Sequence, residues 1–117
     1  MKLDVVNSGQ LLHLAEGQLL YEKLIKQLNK DFLLANIEWV IPVNIEVDSL
    51  IKLLREKLYV LIMERFSDYL NLLYILDVPE KEFQNIEITD AVTVSDQMTF
   101  LVLKREYQKV WLRNKYK

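Results

Sequence analysis

The chain has 117 residues, a formal net charge of −2 and no cysteine. That length fits one domain. The missing thiols exclude disulfides, thiolate zinc sites, iron–sulfur clusters and a cysteine nucleophile. With 51% apolar and 27% charged residues the chain can bury a core, and wholesale disorder is not expected.

Only two glycines occur, Gly9 and Gly17. Tight hairpins and phosphate-cradling loops both need glycine where backbone must turn or approach closely. A β-rich fold, a Walker loop and a dinucleotide fingerprint are therefore disfavoured, and abundant Leu, Lys, Glu and Gln point to helices. The start, "MKLDVVNSGQ", lacks the apolar segment of a signal peptide. No stretch approaches the roughly 20 apolar residues of a membrane span. The expectation is a cytoplasmic protein.

In chain order, Asn7 or Ser8 is expected to cap a first helix. Leu11, Leu12, Ala15, Leu19, Leu20, Leu24 and Leu28 recur at helical spacing along it, with Glu16, Glu22, Lys23, Lys26, Gln27 and Lys30 mostly opposite. Gly17 weakens this helix by roughly 1 kcal/mol relative to alanine. Residues 37–48, "IEWVIPVNIEVD", are β-branched and carry Pro42, so they read as a connector that plugs Trp39 into the bundle.

Asp48 and Ser49 should start the central element, whose stripe Leu50, Ile51, Leu54, Leu58, Leu61 and Ile62 shifts to Phe66, Tyr69, Leu70, Leu73 and Leu76. Either the helix wraps across two neighbours or it breaks near Ser67–Asp68. A helix apolar over most of its circumference is usually buried on several sides, so the shifted stripe is assigned to the core. Asp77 and Pro79 end it. "PEKEFQ" gives one helical turn with Pro79 at its first position, "NIEITDAVTV" an irregular crossover, and Ser95 or Asp96 caps a last helix.

The blocks "KQLNKDFLLANI", "FSDYLNLLYILDVPEKEF" and "VLKREYQKVWLRNKY" resemble a set of small uncharacterised bacterial helical proteins. Those proteins share an LLY-x-x-D-V block after a long helix and an R-E-x-Q-K tail helix. The resemblance implies a helical fold and no particular activity.

Residues able to do chemistry are sparse. His13, the single histidine, lies one turn from Glu16, but bundle metal sites use Glu-x-x-His and repeat it on a second helix. No metal or cofactor is expected. Asp77, Glu80 and Glu82 read as an acidic helix start that favours the dipole. Asp48–Ser49, Ser67–Asp68 and Ser95–Asp96 read as caps, and no nucleophile elbow exposes a serine.

Charge is the strongest asymmetry. Residues 104–117 carry six cations against Glu106 alone, so the other 103 residues are net −7. Arg105, Lys109 and Arg113, four apart, predict a basic ridge with Leu101, Leu112 and Tyr116 on or beside it. Met98 falls on that side too, whereas Phe100, Leu103, Tyr107, Val110 and Trp111 should face the core. The ridge has three readings: dipole compensation, docking on an acidic face of this chain or of a second copy, or phosphate contacts with Tyr116 near a base. A pI of 5.4 argues against nucleic acid.

Together these features predict a single all-α domain over residues 1–117. It is a small bundle of three long helices plus a short fourth, joined by irregular connectors. Its expected role is a non-enzymatic protein-interaction or structural module that binds a protein partner or a second copy, with no membrane. A weak nucleic-acid-associated protein comes second. An enzyme or small-ligand binder in an inter-helix pocket comes third.

Overall fold

The structure, a computed structural model, describes residues 4–84, 86 and 90–116. The described part is all-helical, with helices over three quarters of it and no strand. Six helices follow one another: α1 (Ser8–Gly17), α2 (Tyr21–Leu34), α3 (Val47–Glu64), α4 (Phe66–Leu76), α5 (Glu80–Phe83) and α6 (Ala91–Lys115). The expected three long helices and short fourth are thus corrected to six, because two of the long ones are each split in two.

Asn7 caps α1, its Oδ1 accepting from the Gln10 amide at 2.9 Å. The helix stops where the apolar pattern would have carried it on. Leu19 takes φ 59°, so the Leu19 and Leu20 amides donate back to Glu16 and Ala15. This is a Schellman closure built without glycine. It turns Leu20 into the core while Leu19 stays 86% exposed. The end of α2 repeats the device: Asn36 has φ 61°, and the Ile37 amide reaches the Phe32 carbonyl at 2.9 Å. At the end of α4, Asp77 is left-handed too (φ 60°), but there its own amide donates, to the Leu73 and Tyr74 carbonyls.

The connector between α2 and α3 is tied down by one amide side chain. Asn29 accepts from the Ile41 amide at 2.8 Å and donates to the Ile41 carbonyl at 2.9 Å, as a neighbouring strand would. Tyr21 donates to the Ile45 carbonyl at 2.7 Å. Trp39 is half-buried and meets Phe32 edge-on at 4.8 Å between ring centroids. The connector thus carries the expected tryptophan plug. α3 begins at Val47, just ahead of the expected Asp48 and Ser49, with no side-chain cap bond.

The chain breaks at Arg65 (φ −140°, ψ 56°), two residues before the expected Ser67–Asp68 site. The Arg65 carbonyl accepts from Tyr69 while Asp68 holds its guanidinium at 2.6 Å. Pro79 precedes α5 and caps no group through its side chain.

The last helix is capped by Asp90, whose carboxylate accepts from the Thr93 amide and hydroxyl. Residues 91–94, expected in the crossover, are therefore helical. The rest of that crossover, residues 85 and 87–89, lies outside the described residues. Ser95 is buried and bonds the Val92 carbonyl, and Asp96 faces Arg55 at 3.7 Å, so neither is a cap.

The hub of the bundle is α6, not the α3–α4 element. α6 packs on α1, α2 and α3 and touches α4 and α5. Its buried residues run round the helix: Val94, Met98, Leu101, Val102, Leu103, Tyr107 and Val110. Met98 and Leu101, expected on the ridge side, are core residues for that reason. Among the described residues, no helix is long and apolar enough to cross a membrane.

Left-handed backbone at a residue with a Cβ costs about 1–2 kcal/mol, and glycine's greater unfolded-state freedom returns about half of that. Leu19→Gly, which loses no buried contact, should therefore raise the unfolding free energy by roughly 0.5–1 kcal/mol in urea denaturation. A loss of stability would show that the closure at Leu19 does not end α1.

Candidate functional site

The three ridge cations do line one side of α6, but two are used within the chain. Arg105 donates to the Leu76 carbonyl at 3.1 Å and reaches Asp77 at 3.3 Å, closing the end of α4. Lys109 Nζ lies 2.9 Å from Asp31 and 3.1 Å from Glu106. Only Arg113 looks outward, steadied by Gln27 Oε1 at 2.8 Å. Leu101 is buried, whereas Leu112 and Tyr116 are exposed. Lys104 pairs with Glu82 at 3.2 Å, so Asp77 and Glu82 act as counter-ions to α6 beyond starting a helix.

Behind Lys109 lies a cluster that the spacing of the sequence did not reveal. Glu106 is fully buried and Asp31 and Gln27 nearly so. Gln27 Nε2 donates to Asp31 Oδ1 at 3.1 Å. Among the described residues, neither Glu106 oxygen has a hydrogen-bond partner of good geometry, although Lys109 Nζ lies 3.1 Å from Oε1. Burial, then the neighbouring Asp31 carboxylate, push the Glu106 carboxyl up to about 9 against the partial opposition of Lys109. Glu106 therefore holds a proton at neutral pH and can donate it toward Asp31. Asp31 and Lys109 form the charged pair, and the cluster is neutral overall.

Of the surfaces left open, two concern the basic ridge and the α4 stripe. The first is an open groove of about 440 Å³ between α2 and α6, lined by Lys23, Lys26, Lys30 and Arg113 with Gln27, Val110 and Asn114, mostly through apolar side-chain atoms. The second is the outer side of α4. Tyr69, Leu72, Leu73 and Leu76 turn into the core, but Phe66, Leu70 and Tyr74 stay 53, 51 and 81% exposed. The expected burial of Phe66 and Leu70 is corrected: the apolar arc of α4 is wider than the core covers, so a buried stripe is flanked by an exposed one, with Ser67, Asp68 and Asn71 on the polar side. The 66–70–74 spacing was legible as one stripe; what hid its exposure was its overlap with the buried one.

His13 meets Glu16 at 3.0 Å on the surface of α1, with both side chains largely in solvent. Among the described residues, no three His, Asp or Glu side chains gather where they could hold a metal ion. Compared with protein-family models, curated proteins and solved structures, the chain matches none of them.

A carboxyl whose folded value is raised stabilises the fold below its unfolded value near 4.5, and that contribution is lost as pH rises toward about 9. Tyr21 and Tyr69, raised to about 12, act only at higher pH. Glu106→Gln keeps a donor toward Asp31 and removes the titration. The difference in unfolding free energy between variant and wild type should grow in the variant's favour from about pH 5 to about pH 9. A constant difference would mean that Glu106 is ionised in the fold.

Proposed function

We propose that the protein is a non-enzymatic interaction module that self-associates through the outer face of α4. The observation that carries this reading is the row Phe66, Leu70, Tyr74. These residues are four apart, lie on one side of one helix and are each at least half exposed. Aromatic and leucine side chains that share one side of a helix are the kind of anchor by which one helix docks on another. Isolated apolar residues on a surface are ordinary, but a contiguous row is characteristic of a contact.

A second copy is the simplest occupant. A two-fold dimer lets the same stripe face itself, so each chain supplies both the knobs and the surface they cover. The neighbouring end of α2 extends the apolar area. Asn71 of α4 donates to the Ala35 carbonyl at 3.3 Å, and Leu33 and Leu34 in the last turn of α2 are exposed. Because Arg105 and Lys109 are held by internal partners, the α6 ridge contributes to such a contact only through Arg113, Leu112 and Tyr116. The helical family resemblance accords with this reading and adds no activity to it. Cytoplasmic location likewise remains part of the proposal.

Sedimentation velocity over a range of concentrations tests this. The wild type should associate reversibly, and Leu70→Lys with Tyr74→Lys should be monomeric with a circular-dichroism spectrum and melting temperature close to wild type. Leu73→Ala, on the buried face of the same helix, should instead lose roughly 2–5 kcal/mol of stability by leaving a cavity. A wild type that stays monomeric at every concentration rejects the reading, as does an association that the double lysine variant leaves intact.

A further inference from the structure

We propose that the groove between α2 and the end of α6 is a binding site for a small, multiply charged phosphate anion, held by Lys23, Lys26, Lys30 and Arg113. The geometry begins with the spacing on α2. Lys23, Lys26 and Lys30 stand at i, i+3 and i+7, so they share one side of the helix over about 10 Å of its axis. Arg113 and Asn114 close the groove from α6. All four cations thus face one space, and the walls are tied across it. Arg113 is fixed by the nearly buried Gln27, and Lys23 Nζ donates to Asn114 Oδ1 at 3.3 Å.

Unlike Lys104, Arg105 and Lys109, and like Lys115, which lies over the Trp111 and Tyr116 rings instead, these cations lack counter-ions among the described residues. Among the described residues, none of the four has a carboxylate within ion-pair distance, whereas Lys104, Arg105 and Lys109 each have one. The carboxylates behind the groove do not offset them. Asp31 is neutralised by Lys109, and Glu106 is kept protonated by its burial. Four like charges around one concavity repel one another and raise the local potential. An anion entering there relieves both effects. Lysine ammonium groups supply point charges, and a guanidinium supplies a planar fork suited to phosphate oxygens.

Size and surroundings decide between a compact anion and a polymer. A space of about 440 Å³ is within the range of small-molecule sites. The chain's net charge of −2 leaves −6 outside the four cations, so a long phosphate backbone would leave the groove over an unfavourable surface. A compact polyphosphate needs only the groove. A single phosphate carries too little charge to match four cations.

The probe is inorganic tripolyphosphate, titrated calorimetrically into the full chain at physiological salt, with amide chemical shifts followed in parallel. Binding is expected, with shifts concentrated in residues 23–30 and 110–114. Lys23→Gln, Lys26→Gln and Lys30→Gln together should weaken it about tenfold or more. Lys52→Gln with Lys81→Gln, outside the groove, should leave it unchanged. Glutamine is a good helix former, so α2 should persist; if the triple variant nevertheless fails to fold, the wild-type shift map alone decides. The proposal is overturned if wild type does not bind, if the shifts map elsewhere or if both variants lose affinity equally. It also fails if a single-stranded oligonucleotide at equal phosphate concentration binds more tightly than tripolyphosphate, which would make the groove a nucleic-acid surface. Because the triple lysine variant touches neither the α4 stripe nor Arg113, loss of phosphate binding and loss of self-association are separate outcomes.

Discussion

The whole arrangement depends on how α6 accommodates Glu106. A helix that packs on α1, α2 and α3 at once has little circumference left for charge, and Glu106 points into the part with none. An ionised carboxylate there without full hydrogen bonding would cost several kcal/mol. The structure meets that cost by keeping the carboxyl protonated and placing Asp31 and Lys109 beside it. This one cluster fastens α2 to α6 through side chains of both helices, with Gln27 linking Asp31 inward and Arg113 outward.

The groove and the α4 stripe follow from that constraint. Spending Lys109 on Asp31 and Arg105 on the end of α4 removes the middle of the basic ridge from solvent. Positive charge then remains where α6 ends and where α2 presents its lysines, which makes the groove. The break at Arg65 turns α4 so that only part of its apolar arc meets α2, α3 and α6. The rest is left bare. Function, on this account, lies in what the core does not consume.

Much of the fold is legible in the sequence. Scarce glycine and helical spacing indicate an all-α chain, and Asn7, Trp39, Leu73 and Leu76 occupy the places their surroundings imply. The helix count was not legible, for a definite reason. Three helix ends close on Leu19, Asn36 and Asp77 in left-handed backbone, none of them glycine. A reading that looks for glycine at stops passes over them, and the apolar rhythm runs on across Leu19 and Leu20. The start of α6 was missed because Asp90 caps it ahead of a β-branched run that resembles a connector. At the candidate surfaces, the four-residue spacing of Arg105, Lys109 and Arg113 was visible, but not their partners, which are 28 to 86 residues away in the chain. Glu106 was visible only as the lone acid among cations.

The central claim is that Asp31 and Lys109 act as one buried pair rather than as two independent surface charges. A double-mutant cycle measures this directly, using Asp31→Asn, Lys109→Met and the double variant in urea unfolding at neutral pH. The account predicts that each single change is strongly destabilising and that the two are non-additive by more than about 1 kcal/mol, since removing one partner strands the other. Additivity within about 0.5 kcal/mol would contradict it, because residues that share no interaction behave that way.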